Sequence, residues 1–140
     1  MKQLIIIAIC ITFITSCSKH VENYIPNISG YWEIKKVTLP DGTVKEYAYN
    51  NTIDYLEITD SLNGIRKKLK PTLNNTFETS NIIENFEIKI ENDSLNLYYK
   101  THFDTWKETI LLATESQLKV VNKNKAVFVY KRFEPIEITN

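Results

Sequence analysis

Residues 86–100, FEIKIENDSLNLYYK, carry the pattern from which the fold can be predicted. In Phe86–Glu91 an apolar side chain alternates with a polar one, and Leu95–Lys100 resumes the apolar pattern after Asn92–Asp93–Ser94. A period of two places the apolar side chains on one face of a β-strand, and Asn, Asp and Ser favour turns. The stretch therefore predicts an antiparallel hairpin with one buried face.

The same alternation recurs along most of the chain. Besides this hairpin, the predicted strands are Tyr31–Leu39, Val44–Tyr49, Thr52–Thr59, Ile65–Lys70, Trp106–Ala113, Leu118–Asn122 and Ala126–Phe133. Thr72–Asn85 is the least regular stretch, and we expect a helical turn or a loop there. The result is an all-β chain with short connections and no convincing helix.

The apolar members of these strands define a predicted inner set. They are Trp32, Ile34, Leu56, Ile58, Phe86, Ile88, Ile90, Leu95, Leu97, Tyr99, Ile110, Leu112, Leu118, Val120, Phe128 and Tyr130. One layer of strands cannot bury so many large side chains unless it closes into a barrel or folds into a sandwich. Because nearly all connections have hairpin length, we predict an antiparallel up-and-down barrel of about eight strands.

The N-terminal residues resemble an export signal. Lys2 precedes the apolar run Leu4–Ile14, which is too short to span a membrane and suits the central region of a signal peptide. The next residues, Ile14–Thr15–Ser16–Cys17, resemble the lipobox of bacterial lipoproteins. The resemblance implies cleavage before Cys17 and its modification by palmitate-type acyl chains. An ordinary signal peptide with an incidental cysteine is the alternative.

This resemblance divides the chain into a signal peptide (1–16), a lipidated tether (17–28), the barrel (29–134) and a frayed tail (135–140). By resemblance to bacterial sorting rules, Ser18 after Cys17 favours the outer membrane. Residues 18–22 lack the acidic run that resembles a surface-export signal in Bacteroidetes lipoproteins. We therefore expect a lipid-anchored protein of the outer membrane that faces the periplasm.

Composition argues against several classes of function. The 17 basic and 17 acidic residues balance, which argues against nucleic-acid binding. The three glycines are scattered, so there is no phosphate-binding glycine-rich loop. Two cysteines and two histidines cannot build a closed zinc site. No catalytic spacing of Ser, His and Asp is visible, although triads are assembled in space. We expect no enzyme activity, no metal and no cofactor.

Three residues resemble the signature of the lipocalins. Gly30–Tyr31–Trp32 opens the first strand as G-x-W, and Arg132 lies in the last strand. The resemblance implies that Trp32 closes one end of the barrel, that Arg132 stacks on its ring, and that Gly30 permits a sharp bend. With the lipobox and the final hairpin, ESQLKVV to KAVFVYKRF, the chain resembles small lipocalin-like lipoproteins of Bacteroidetes. It has no room for the C-terminal helix of secreted lipocalins.

Two hypotheses for the function stay open. The first is a carrier of a small apolar ligand, with Lys36, Tyr99 and Tyr130 as candidate ligand-binding residues inside the barrel. The second is a filled barrel without ligand that binds an envelope protein, as an inhibitor or an assembly factor. An eight-stranded barrel is only just wide enough to be filled by side chains or to hold one small ligand. The lysine can equally lie at the rim, and the tyrosines can belong to the core.

Two further motifs point to the surface. Arg66–Lys70, RKKLK, is a basic cluster that either touches anionic lipid head groups or forms the solvated face of a strand. Asp60–Ser61–Leu62 and Asp93–Ser94–Leu95 resemble the O-glycosylation acceptor of Bacteroidetes periplasmic proteins. Both triplets fall in predicted turns, where a glycan can be attached.

Overall fold

The computed structural model describes residues 20–135. The expected signal peptide, the lipobox with Cys17 and residues 136–140 of the expected tail lie outside this range. Within it no helix is both long and apolar enough to cross a membrane. The elements are a 3₁₀ helix (Val21–Asn27) and strands β1 (Gly30–Thr38), β2 (Val44–Glu46), β3 (Ile53–Ile58), β4 (Asn63–Pro71), β5 (Phe77–Glu91), β6 (Ser94–Lys100), β7 (Thr105–Ala113), β8 (Gln117–Asn122) and β9 (Val127–Arg132).

All strands but β2 close a barrel. From β3 to β9 each strand pairs antiparallel with the next one in the chain, and β9 pairs with β1. One edge of β1 is shared, because its first residues pair with β3 and its last residues with β2. The prediction of an all-β, antiparallel up-and-down barrel of about eight strands is confirmed.

The barrel has a closed end and an open end. The closed end is the one where β1 begins and where the 3₁₀ helix lies, and the open end is the opposite one. Val21 and Ile28 are buried in the main core, and Asn27 Nδ2 donates a 3.3 Å hydrogen bond to the Ala113 carbonyl of β7. The expectation of a tether up to residue 28 is therefore wrong for residues 21–28, because their apolar side chains cap the barrel.

A β-bulge in β1 reverses the faces of the strand. Ile34 pairs with Tyr130 and Lys36 with Val129, so β1 contains one extra residue at Lys35. Since side chains alternate between faces, this insertion turns Val37 into the barrel and Lys36 outward. The expectation that Lys36 faces the interior is wrong for this reason.

A second bulge has the same effect in β7. Ile110 pairs with Val120, but Leu112 pairs with Lys119 and Ala113 with Leu118. Ala113 therefore occupies the inner position that the alternation assigns to Leu112, and it is buried in the core. The small side chain leaves room for the 3₁₀ helix that packs against β7.

Strand β5 is much longer than the alternation predicts. It begins at Phe77, within the stretch expected to be irregular, and pairs with β4 from there. We call residues 70–83, the outer part of this hairpin, the β4–β5 arm. Its β5 residues from Glu78 to Ile83 are exposed, so neither face shows an apolar pattern. Phe77 fixes the arm, because its ring stacks on Tyr31 at 5.0 Å and contacts Phe133 at 6.0 Å.

Candidate functional site

The closed end is built around Trp32. The indole is fully buried, and its Nε1 donates a 2.8 Å hydrogen bond to the Ile28 carbonyl. The Arg132 guanidinium lies over the ring, with Cζ 3.8 Å from the ring centroid. Its nitrogens donate to the carbonyls of Glu115 (2.7 Å), Ser29 (2.7 Å) and Asn27 (2.9 Å). One arginine thereby joins β9, the β7–β8 turn and the chain that leads into β1.

Gly30 makes this arrangement possible. Its φ is +136°, and a Cβ at this position would overlap the Arg132 guanidinium. The structure thus brings Gly30, Trp32 and Arg132 together at the closed end. The Trp32–Arg132 contact and the 3₁₀ helix therefore cover this end of the barrel.

The interior near the open end contains a buried ionic cluster. Arg66 of β4 pairs with Leu56 of β3, which places its side chain on the inner face. Its Nε donates to Glu84 at 2.5 Å and its Nη1 to Glu108 at 3.2 Å. Only 13% of the Arg66 side chain is exposed. The three charges neutralise one another only in part, since two carboxylates surround one guanidinium.

Aromatic rings enclose this cluster. The Arg66 Cζ lies 4.4 Å from the Tyr99 ring centroid and 5.8 Å from that of Trp106. The two rings stack on each other at 4.9 Å. Burial by itself lowers the pKa of Arg66, but the surrounding Tyr99 and carboxylate groups outweigh it and raise that pKa. The guanidinium is therefore a permanent charge inside the barrel.

A second ion pair lies beside the first. Asp54 is almost fully buried, and its Oδ1 accepts a 2.6 Å bond from Lys68 Nζ, whose side chain is half-exposed. Tyr130 is close to Asp54, and its pKa is raised by burial and then by the charge of that carboxylate. The basic stretch Arg66–Lys70 is thus not one surface patch, because Arg66 and Lys68 bind carboxylates inside the barrel.

Of the candidate ligand-binding residues, Tyr99 and Tyr130 lie in the interior and Lys36 does not. Burial raises the pKa of Tyr99 well above its usual range. The Tyr99 hydroxyl has no hydrogen-bond partner in the described part of the chain. The space between the tyrosines, Arg66 and Glu108 measures about 10 Å³. That is the room of about one water molecule.

Sequence reasoning missed Asp54, Arg66, Glu84 and Glu108 as interior residues, and Lys68 as the exposed partner of Asp54. Asp54 has the parity of Leu56 and Ile58, which the alternation places inside. The charge of these residues suggested that they face solvent. The alternation of side chains along each strand was a usable signal that they face inward. Among residues 20–135, no cluster of potential metal ligands is present.

The larger concavity is a groove of about 550 Å³ across β5, β6 and β7. By register its outward side chains include Glu87, Tyr98, Lys100 and Lys107. Tyr98 is held in place, since its hydroxyl donates a 2.6 Å bond to Glu91. Phe86, Tyr99 and Trp106 also line the groove, and its exposed lining is mostly apolar. The groove is nevertheless open to solvent, unlike the enclosed pocket that buries most of an apolar ligand.

Two solved structures are similar to the chain. One is a lipocalin-like protein from Bacteroides uniformis, with 8% identity and a TM-score of 0.47 over 76% of this chain and 99% of that one. The other is an uncharacterized protein from Bacteroides eggerthii, with 9% identity and a TM-score of 0.47 over 75% of this chain and 98% of that one. No family model and no curated protein matches the sequence.

Proposed function

We propose that the chain is a lipid-anchored protein of the bacterial cell envelope whose filled barrel serves as a protein-interaction module. The filled interior is the observation that carries this proposal. Ligand pockets usually measure ~300–1,000 Å³, whereas the space between Arg66, Tyr99, Glu108 and Tyr130 is about 10 Å³. The groove of about 550 Å³ across β5, β6 and β7 has the volume of a ligand pocket, but it is open to solvent. With its interior filled, the barrel would act as a rigid scaffold whose outer surface contacts the partner.

The charges inside the barrel favour this function over transport of an apolar molecule. A ligand of that kind would have to displace Arg66 from Glu84 and Glu108, and a buried charge without a partner is costly. Lys36, a candidate ligand-binding residue of the carrier hypothesis, lies on the outer face. Binding of a small apolar ligand stays the competing prediction.

Native mass spectrometry distinguishes the two functions. Protein extracted from its native membrane in mild detergent should show the mass of the acylated chain alone. A reproducible additional mass that is lost on activation, and that proves to be an apolar molecule, would overturn the proposed function in favour of the carrier.

The proposed anchor is an acylated Cys17 in the outer membrane, on the periplasmic side. Cys17 and the buried Val21 are four positions apart, which is at most ~14 Å of extended chain. Such a short link would hold the closed end near the lipid surface and direct the open end away from it. Metabolic labelling with an alkynyl palmitate should label the protein, and Cys17→Ser should abolish both the label and membrane retention.

We also propose that the protein is not an enzyme. The buried carboxylates of Glu84 and Glu108 are bound by Arg66, and Asp54 is bound by Lys68. Carboxylates held in this way support the barrel and are not free to act as a general acid or base.

A further inference from the structure

Within the described residues, the first half of β5 has no neighbouring strand along one of its two edges. On one side, β4 pairs with Phe77–Thr79 and again from Ile83 onward. On the other side, β6 begins to pair only at Asn85. Residues 77–84 therefore present an edge without a strand partner within residues 20–135. Such an edge carries unpaired N–H and C=O groups, which can bond to an additional strand.

The side chains in the middle of this edge lack the usual protection against pairing. Natural edge strands are kept short or carry lysine, proline or inward-pointing charges. Here the five residues Thr79–Ile83, TSNII, include neither a charge nor a proline. Ile82 and Ile83 are 66% and 46% exposed. The pairing with β4 is irregular here, because Ser80, Asn81 and Ile82 lie opposite Lys68 alone, and a bulge of this kind is one of the features that protect natural edges.

Exposed apolar side chains near the edge could also contact a bound segment. The β6–β7 turn lies where the free edge begins, because Lys100 at the end of β6 pairs with Asn85. Phe103 in that turn is 94% exposed. At the tip of the β4–β5 arm Leu73 is 80% exposed. Apolar side chains therefore flank an edge whose middle residues, Thr79–Ile83, are uncharged, although Glu78 and Glu84 lie at its ends.

We propose that the free edge of β5, residues 77–84, binds an extended segment of a partner protein, which adds to the sheet as a further strand. Backbone hydrogen bonds provide the affinity in this binding mode, and side chains next to the edge provide selectivity. Because Thr79–Ile83 is uncharged and contains Ile82 and Ile83, the matching segment is uncharged and β-branched or aromatic. This inference rests on the proposed function and names the class of partner.

Photocrosslinking in cells tests the edge directly. A photoreactive amino acid replaces Ile82, and Ile90 of the same strand is the matched control. Ile90 is 47% exposed, but its segment pairs with β6. The expected result is an adduct at Ile82 and none at Ile90, with the crosslinked peptide identified by mass spectrometry. Equal adducts at both positions, or none at Ile82, would overturn the proposal.

A synthetic peptide with the crosslinked sequence is the probe for the second step. Added to the full lipoprotein in detergent, it should slow hydrogen exchange of backbone amides between Glu78 and Glu84. Ile82→Lys should weaken its binding by about tenfold, since lysine protects edges, and Ile90→Lys should leave the affinity within about twofold. Protection elsewhere, or equal effects of the two substitutions, would contradict strand addition at this edge.

Other occupants give different results. If residues 136–140 of the same chain cover the edge, its amides are protected without peptide, and truncation after Pro135 removes the protection. If a second copy covers it, the protein is a dimer that Ile82→Lys dissociates. Either result overturns the proposal. An adduct from a probe at Phe103 with none at Ile82 overturns the edge proposal but leaves the proposed function standing.

Discussion

Arg132 lies over the indole of Trp32, with its Cζ 3.8 Å from the ring centroid, and donates hydrogen bonds to three backbone carbonyls. This single side chain ties the last strand to the segment before the first strand. Its contribution should therefore exceed that of an ordinary surface arginine, since a stacked ring and charge-assisted hydrogen bonds are lost together.

We expect Arg132→Ala to lower the free energy of unfolding by about 1–3 kcal/mol. The neighbouring Lys131 is the matched control, because it is half-exposed and pairs with Glu33 at 2.7 Å. Lys131→Ala should cost less than about 1 kcal/mol. Urea denaturation followed by tryptophan fluorescence measures both. Equal costs would show that the contact with Trp32 adds no stability.

Gly30→Ala should be destabilising through Arg132. The substitution forces an L-residue to φ +136° and places a methyl group against the guanidinium, so both strain and overlap contribute. Gly42→Ala is the control, because φ is +86° there but no atom lies within 4 Å. We expect Gly30→Ala to cost at least ~1 kcal/mol more than Gly42→Ala.

A double-mutant cycle separates strain from overlap. In an Arg132→Ala background the overlap at Gly30 disappears, so Gly30→Ala should cost less there than in the parent protein. Additive costs from thermal or urea denaturation would mean that backbone strain alone explains the requirement for glycine.

The up-and-down topology of the barrel could be predicted because its strands bury one face and expose the other. The alternation in Phe86–Glu91 and the turn at Asn92–Asp93 are sufficient for that hairpin. The two bulges could not be predicted, since a single inserted residue leaves no signature in the pattern. The orientations of Lys36 and Leu112 depend on those bulges, and both differ from the expectation.

Other errors have different physical causes. In the β4–β5 arm, residues Glu78–Ile83 are exposed on both faces, so they show no period of two even though they form a strand. The interior charges were missed because a charged residue in a strand normally faces water. Arg66 faces inward because Glu84 and Glu108 lie on neighbouring inner positions and satisfy its donors. Such a set of inward-facing charges can be recognised only when the alternation along each strand is combined with the pairing register between strands.

Arg66→Met tests whether this cluster holds the barrel together. Removing one partner of a buried ionic group leaves Glu84 and Glu108 without their counter-charge, and we expect a loss of about 3–5 kcal/mol. Lys67→Met, at the next position but on the outer face, should stay within about 0.5 kcal/mol of the parent. A loss below ~1 kcal/mol for Arg66→Met in chemical denaturation would mean that water solvates the carboxylates in the variant.

Alkaline pH should destabilise the fold through Tyr99 and Tyr130. Burial raises the pKa of both phenols above the ordinary value of 10.0. A raised pKa means that the folded state holds the proton more tightly than the unfolded state. The resulting stability is complete below pH 10 and is lost as the pH rises above it.

Denaturation midpoints measured between pH 8 and 11.5 should therefore fall above about pH 10. Tyr99→Phe and Tyr130→Phe should each reduce that fall, whereas an unchanged slope in both variants would show that other groups cause it. At neutral pH Tyr99→Phe should cost less than Tyr130→Phe, because the Tyr99 hydroxyl has no partner to lose among the described residues.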